Sequence, residues 1–216
     1  MLKNFWYAVA FAEEITDKPT RLKVLGQDLV AFRQKRSGNV IIMSDLGVHR
    51  GGALSGGWQD DKDCLVCPYH GWEYDGEGKA VRIPANQPNR PIPKKARVDS
   101  YPVQEKYHFV WVFLGDLPEQ ERPPIPDWDE HFNNPDLAYV HGEFLWKANY
   151  ERVLENGVDI AHTPWVHGGA FGNRDKPEVE EYEPVITPWS AEATTRQNPP
   201  KKNVKGIKRL IYRKEA

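Results

Sequence analysis

Histidine and cysteine side chains that could bind a metal lie in two short segments near the start of the chain. His49 stands two residues after Gly47, and Cys67 stands three residues before His70. A [2Fe–2S] cluster with two thiolates on one iron and two neutral imidazoles on the other requires two loops, each carrying one Cys and one His. The second segment supplies both ligand types, whereas the first supplies only an imidazole because glycine has no donor atom. The two segments therefore offer two imidazoles and one thiolate to a metal centre, of which an iron–sulfur site is one kind.

The residues around these ligands suit a backbone that packs closely against a metal centre. Gly51, Gly52 and Gly71 allow main-chain amides to approach sulfide, and Pro68 stiffens the second loop. Taken alone, two histidines and a cysteine also suit a zinc site with an open position. A purely structural role without metal is the remaining alternative.

A second group of polar side chains follows at helical spacing. Asn156, Asp159 and His162 recur every three residues and would share one face of a helix. His167 stands five residues after His162, and Pro164 is expected to end the helix so that His167 can approach the same metal. Spacing alone leaves open that both histidines are ordinary surface or core residues.

The elements that position the first group are predicted to be β-strands. Short aromatic and β-branched runs between Gly- and Pro-rich turns favour a small sandwich or barrel. The predicted strands are Phe5–Phe11, a hairpin over Arg21–Arg33 that turns at Gly26-Gln27, Val40–Met43, Leu65–Cys67, Val98–Val103 and His108–Leu114.

The pattern changes after a segment rich in proline and acidic residues. Leu117–Asp127 is predicted to be the domain boundary, because it is expected neither to continue a strand nor to contribute to a core. Apolar residues at helical intervals then predict a helix from Phe144 to His162.

Composition restricts the class of protein. The 216 residues carry a formal net charge of −2, which predicts no nucleic-acid partner, although a basic tail after Pro199 keeps an RNA- or membrane-binding end open. No apolar run approaches the roughly 20 residues that span a bilayer, so no membrane span is expected. The two cysteines, Cys64 and Cys67, stand too close together for a disulfide framework and indicate a reducing compartment, the cytoplasm. Cys64 is expected to be a free thiol and not a substitute ligand.

Three stretches make the first group specific. HRGGALS after His49, CPYHGWEYDGEGK from Cys67 and YPVQEKYHFVWVFLGD from Tyr101 resemble the Rieske domain, over roughly residues 3 to 116. The resemblance implies a [2Fe–2S] cluster held by His49, Cys67 and His70. The family pattern C-x-H paired with C-x-x-H places its first Cys on Gly47, so the fourth ligand is absent and the cluster is expected to be incomplete.

The second group resembles the N-x-x-D-x-x-H-x-x-x-x-H motif of Rieske-type non-haem iron oxygenases. By that resemblance His162 and His167 are ligands of a mononuclear Fe(II), while Asp159, with Asn156 beside it in the motif, serves electron entry from a neighbouring subunit's cluster. The family's third ligand is a carboxylate from much later in the chain. We therefore expect the chain to stop inside the catalytic fold.

The resemblance implies an α+β protein with a small all-β Rieske domain over 1–116. Residues 117–216 would form the N-terminal part of a helix-grip (START-like) catalytic domain. The implied function is an oxidoreductase in which electrons pass from NAD(P)H through a ferredoxin or reductase to the cluster. From there they reach an Fe(II) that activates O2 to hydroxylate or demethylate a small organic, often aromatic, substrate, commonly in a homotrimer. The alternatives are an inactive truncated remnant and a Rieske-type electron carrier, so whether this chain is itself an active enzyme stays open.

Overall fold

The computed structural model describes residues 2–168, 171–188 and 190–199, and the chain forms two compact units, Met1–Ala138 and Tyr139–Ala216. The basic tail after Pro199 lies outside the described residues. The first unit contains a short helix and strands in antiparallel sheets: β1 (Phe5–Phe11), β2 (Thr20–Val24), β3 (Gln27–Arg33), β4 (Val40–Ser44), β5 (Trp58–Gln59), β6 (Leu65–Val66), β7 (Glu73–Tyr74), β8 (Ala80–Arg82), β9 (Ser100–Tyr101), β10 (Val103–Lys106), β11 (Phe109–Leu114) and α1 (Asp129–Phe132).

Three sheets make up the first unit, in the orders β1-β11-β10, β2-β3-β4-β9 and β5-β6-β7-β8. The predicted hairpin is present as β2 and β3, with Val24 paired to Gln27. Its turn lies at Leu25 and Gly26, one residue earlier than predicted, and both adopt positive φ, as a type I′ turn requires. A mostly β first unit, followed by a second unit that contains helices, confirms the predicted α+β fold class.

Strand β3 is buried on both faces, because successive side chains point to opposite sides of a sheet. Val30 and Phe32 pack in one core cluster with residues of the third sheet such as Leu65. Leu29 and Ala31 pack in a second cluster on the side of β11. The first ligand loop therefore follows β4, the neighbour of β3, and the second joins β6 and β7 of the sheet that packs against β3.

Arg33, the last residue of β3, connects the second sheet to the first. Its guanidinium donates to the carbonyl oxygens of Ile15, Gly38 and Ala12 and, through both terminal nitrogens, to the two carboxylate oxygens of Glu105 on β10. All five N–H donors of the side chain are used. The hydrogen bonds to Glu105 raise the pKa of Arg33, so the side chain stays charged.

The proline-rich segment packs on the first unit. Ile125 is buried against Tyr107 and Trp111, and Trp6 Nε1 donates to the carbonyl oxygen of Pro123 at 2.9 Å. The expectation that this segment contributes to no core is therefore wrong at Ile125. The first compact unit extends past residue 116 to Ala138, while the domain boundary at 116 stays a prediction.

The second unit contains α2 (Tyr150–Val158), α3 (Thr163–Val166) and a hairpin of β12 (Val185–Ile186) and β13 (Ala191–Glu192). The prediction of one helix from Phe144 to His162 is wrong in extent. Helix α2 begins where the Asn149 side chain accepts from the Glu151 N–H. It ends at Asp159, whose backbone is extended and whose carboxylate accepts from the Ala161 N–H in an Asx turn.

No helix within the described ranges combines the length and the apolar character needed to cross a membrane.

Candidate metal centres

The two ligand loops of the first unit have the same backbone design. The Gly47 N–H donates to the Gly52 carbonyl oxygen at 2.9 Å, and the Gly51 N–H donates back to the Gly47 carbonyl oxygen at 2.9 Å. In the second loop, Cys67 pairs with Trp72 at 2.8 Å and Gly71 donates to the Cys67 carbonyl oxygen at 2.9 Å. Position 47 is therefore the structural counterpart of Cys67.

Each loop reverses at a glycine in the left-handed region. Gly51 has φ +70° and Gly71 has φ +67°. A side chain at either position would be strained in this conformation. These glycines let both loops turn back and present their histidines at the exposed end of the unit.

His49 and His70 come from different loops and meet at the loop tips. Their ring centroids lie 4.8 Å apart, and His49 also stacks on Trp72 at 4.7 Å with an interplanar angle of 7°. Both histidines are exposed, whereas Cys67 is buried with 7% of its surface exposed. A single cavity is lined by both histidines, Cys67 and Gly47. The structure thus brings the three sequence-predicted ligands together.

Gly47 is buried at the base of this cavity, where its counterpart in the other loop carries a thiol. Its φ is not positive, so the backbone itself accepts any residue. A Cβ atom at position 47 would however lie 2.9 Å from the Gly52 carbonyl oxygen and 3.4 Å from Leu54 Cδ2. A side chain at position 47 is therefore limited by steric contact with its neighbours and not by the backbone conformation.

Tyr74, on β7, also lines this cavity and was not found by sequence reasoning. The residue is fully buried, and among the described residues its hydroxyl has no hydrogen-bond partner. Burial, followed by the neighbouring Cys67 sulfur, raises the pKa of Tyr74 to about 12. A contact with the Val48 N–H lowers that pKa but does not meet the geometry of a hydrogen bond. The phenol therefore keeps its proton and has a donor to offer inside the cavity.

Cys64 lies away from the cavity, at the start of β6. Its side chain is buried, it does not line the cavity, and its Sγ is 3.9 Å from the Lys62 carbonyl oxygen. Burial raises the pKa of the Cys64 thiol to about 11. A buried neutral thiol outside the cavity agrees with the expectation that Cys64 is not a substitute ligand.

In the second unit, the short helix α3 brings His162 and His167 together. His162 is its N-cap residue and His167 its C-cap residue, with ring centroids 5.4 Å apart. Pro164 was expected to end a helix but instead lies in the first turn of α3, where a proline needs no N–H partner. The two histidines therefore approach each other across one helical turn.

Asp159 lies beside the first of these histidines. Its Oδ2 is 3.5 Å from His162 Nδ1, which is buried and makes no hydrogen bond within the described part of the chain. A carboxylate that accepts a hydrogen bond from Nδ1 would orient the ring and leave Nε2 for a metal, and Asp159 lies within reach of that role. Asn156 lies in the last turn of α2 and is exposed, before the break in the helix at Asp159.

Arg174 fixes the end of α3 and is a second residue that the sequence did not reveal. Its Nη2 donates to the Trp165 carbonyl oxygen at 2.7 Å and its Nε to the Pro164 carbonyl oxygen at 3.2 Å. Both acceptors are main-chain groups left without partners at a helix end. No sequence motif marks this contact, because it depends on how the chain returns after α3.

The two sites differ in how their residues fit the metals that their chemistry suggests. His162 and His167 fit two nitrogen ligands of a mononuclear iron, with Asp159 placed to orient one ring. His49 and His70 fit the imidazole half of a [2Fe–2S] cluster, but the thiolate half does not fit, since Cys67 alone supplies sulfur. Within residues 2–168, 171–188 and 190–199 no group of three or more His, Cys, Asp or Glu side chains is arranged to hold one metal ion.

Two family models match the chain. Residues 5–102 match the Rieske [2Fe-2S] domain, and residues 146–216 match the vanillate O-demethylase oxygenase C-terminal domain. The vanillate O-demethylase oxygenase subunit of a Pseudomonas species is 32% identical over 177 residues, which are 82% of this chain and 48% of that protein. Methylxanthine N1-demethylase NdmA of Pseudomonas putida is 33% identical over 177 residues, or 79% of this chain and 48% of that protein.

A crystal structure of dicamba monooxygenase bound to dicamba superposes with a TM-score of 0.78 at 29% identity, covering 93% of this chain and 59% of that one. The chain spans about half the length of the two curated relatives. With both family models, this similarity shows that the chain belongs to the Rieske-type non-haem iron oxygenases. The resemblance stated from the sequence is confirmed.

Proposed function

We propose that the chain is part of the oxygenase component of a Rieske-type system that hydroxylates or demethylates a small organic molecule with O2. The observation that carries the proposal is the His162–His167 pair, with Asp159 placed 3.5 Å from His162 Nδ1. Two imidazoles oriented by a carboxylate and built onto one short helix are suited to hold Fe(II). When bound, Fe(II) supplies open coordination positions for dioxygen.

The chain's own residues would act by positioning. Asp159 would orient the His162 ring from its Nδ1 side, and Arg174 donates to the carbonyl oxygens of Pro164 and Trp165 at the end of α3. For Asn156 we propose the role that the family motif implies, which is to act with Asp159 in electron entry. The relatives named above act on vanillate, methylxanthine and dicamba, which supports a small, ring-containing organic substrate.

The electron supply follows from the same family membership. We propose that a ferredoxin or reductase delivers electrons drawn from NAD(P)H and that the oxygenase assembles as a homotrimer. The exposed His49 and His70 at the loop tips support a partner that docks at this end of the first unit. Two free cysteines support a reducing location, the cytoplasm.

Iron binding by the intact chain tests the proposal. Anaerobic Fe(II) titration, followed by the electron paramagnetic resonance signal of the nitric oxide complex, reports mononuclear iron separately from iron bound to sulfide. His162→Ala and His167→Ala should each weaken this binding by about tenfold or more, because each removes a ligand. The matched control His141→Ala, in the same unit, should leave the titration unchanged. Equal Fe(II) affinity in all four proteins would refute the assignment.

A second candidate function is favoured by Gly47. A loop without its thiolate supports a non-catalytic remnant in which the first unit folds but passes no electrons. Chemical analysis separates the candidates. Mononuclear iron together with acid-labile sulfide indicates an oxygenase. Iron and sulfide without the mononuclear signal indicate an electron carrier, and the absence of both kinds of iron indicates the remnant.

A further inference from the structure

The last turn of α2 contains the one Asn-Gly pair of the sequence, Asn156 followed by Gly157. Asn156 is exposed, and within the described residues its carboxamide makes no hydrogen bond. A Cβ atom built at Gly157 would meet nothing within 4 Å, so no packed neighbour covers the main chain there. Because glycine has no Cβ, its nitrogen is the least hindered main-chain nitrogen that a protein offers. The pair therefore places a free carboxamide next to an accessible main-chain nitrogen.

Helix α2 keeps these two groups apart only while its last turn is closed. A helix directs each N–H toward the carbonyl oxygen four residues earlier and away from the preceding side chain. Helix α2 has nine residues, none of them buried, and isolated helices shorter than about 12–15 residues are marginal in water. It ends at Asp159, whose backbone is extended. Since segments that bury little apolar surface open at low free energy, we expect the last turn to open readily.

We propose that Asn156 is a site of spontaneous deamidation, in which the side-chain amide becomes aspartate or isoaspartate. When the turn opens, the main-chain nitrogen of Gly157 attacks Cγ of Asn156, and the proton of that nitrogen passes to solvent. The bond from Cγ to the side-chain nitrogen breaks, and this nitrogen takes up a proton and leaves as ammonia. Water then opens the resulting cyclic imide at either carbonyl carbon. One water is consumed, one ammonia is released, and nothing is oxidised or reduced.

An Asp-Gly pair in the first unit shows what protects such a sequence. Asp75 and Gly76 could close the same imide with loss of water, but the Asp75 Oδ1 atom accepts from the Glu77 and Lys79 N–H groups at 3.0 and 2.9 Å. A Cβ atom at Gly76 would lie 3.1 Å from Ile41 Cδ1, so this turn is packed on the second sheet. Hydrogen bonds thus hold the side chain while packing fixes the main chain. We expect this pair to stay unmodified.

Either product changes the end of α2 just before Asp159. Aspartate at position 156 adds a negative charge near a helix C-terminus, where the helix dipole disfavours it. Isoaspartate carries the main chain through the side-chain carbons, which adds one methylene to the backbone and interrupts the helical hydrogen bonds. The Asx turn at Asp159 follows directly and leads to His162. Deamidation therefore loosens the connection between α2 and the histidine pair, and it would do so whether or not that pair binds iron.

A timed incubation of the full chain at neutral pH tests the inference. Trypsin then releases residues 148–152 and 153–174 as separate peptides, which carry Asn149 and Asn156. Tandem mass spectrometry locates each conversion of amide to acid, and labelling by an isoaspartate methyltransferase detects isoaspartate. Asn149 is the internal control, because its carboxamide accepts from the Glu151 N–H and a tyrosine follows it. Acid should accumulate at Asn156 at least about tenfold faster than at Asn149, and equal rates would overturn the inference.

Gly157→Ala tests whether the open turn and the unhindered nitrogen are the cause. The added methyl group meets open space, so the fold is retained, whereas alanine favours the helix and shields the nitrogen. Deamidation should slow about tenfold, and an unchanged rate would count against the proposal. Wild-type chain unfolded in urea is the positive control. Conversion in urea with none in the native chain would also overturn the proposal, because the turn would then stay closed.

Discussion

At the residue scale, position 47 should decide whether the apo-protein can build a stable cluster from its own side chains. We expect Gly47→Cys to bind iron and sulfide after anaerobic reconstitution and to turn red-brown, since it supplies the thiolate opposite Cys67. The new Cβ lies 2.9 Å from the Gly52 carbonyl oxygen, so the apo form should lose about 1–2 kcal/mol of unfolding free energy through overpacking. Urea unfolding and iron analysis measure the two effects.

Gly47→Ala is the matched control, because it adds the same Cβ without sulfur. It should be destabilised by a similar amount and should bind no more iron than the parent. If alanine assembles cluster as well as cysteine does, the thiolate is not what position 47 lacks. The double variant Gly47→Cys, Cys64→Ser should keep the colour, because Cys64 is a neutral thiol outside the cavity.

The ligand residues themselves could be predicted from the sequence, but the groups that act on them could not. His49, Cys67 and His70 stand at fixed spacings, and the structure places all three around one cavity. Tyr74 and Arg174 carry no such mark, since the role of Tyr74 depends on where β7 meets the ligand loops and that of Arg174 on where the chain returns to the end of α3. The steric cost at Gly47 is likewise set by a carbonyl five residues further on.

At the scale of elements, Arg33 should be irreplaceable by another cation. Lysine offers one compact ammonium group and cannot reach the three carbonyl oxygens and the Glu105 carboxylate that the guanidinium joins. Arg33→Lys should therefore lower the free energy of unfolding by about 2 kcal/mol, measured by urea denaturation of the first unit.

Arg21→Lys is the comparison for that measurement. Arg21 is also on a strand of the second sheet, but 61% of its side chain is exposed; it pairs with the exposed Asp28 at 2.9 Å and more distantly, at 3.8 Å, with Asp45. A pair of this kind contributes little in water, so the change should stay within about 0.5 kcal/mol. If both variants lost the same free energy of unfolding, the hydrogen bonds of Arg33 between β3 and β10 would not contribute to stability.

The elements also show where sequence periodicity stops being informative. Strand β1 has the predicted bounds, because a run of aromatic and β-branched residues has few other options. Strands β5 and β7 were not predicted, since a strand of two residues is too short to show an alternation of apolar and polar side chains. The helix around Asp159 was extended too far because an Asx turn competes locally with helical hydrogen bonds, and apolar spacing does not register it.

At the scale of the whole molecule, the buried core is unevenly distributed. Both large core clusters belong to the first unit, whereas Pro164 and Gly172 are the only buried residues in the described part of the second. Segments that bury little apolar surface open at low free energy. Residues 133–149 are exposed and include no helix or strand.

Limited proteolysis should follow this distribution. Trypsin is expected to cleave after Lys147 well before Lys79, an exposed site within the sheets of the first unit, and to leave a fragment that retains the core clusters. Mass spectrometry of a digestion time course identifies the order. Early cleavage at Lys79 with an intact segment around Lys147 would contradict the assignment of stability to the first unit.

The closure of the Gly47 loop by main-chain hydrogen bonds has an evolutionary consequence. Different groups fold this loop and bind metal in it. Main-chain amides, which every residue has, close the loop, whereas only a cysteine side chain supplies the thiolate. A glycine at position 47 therefore keeps the main-chain hydrogen bonds of the loop, and the loss of a thiolate there does not by itself expose the protein to the quality control that removes misfolded chains. Only selection on electron transfer acts against the loss of this thiolate. A lineage can therefore lose the cluster and still inherit an intact first unit.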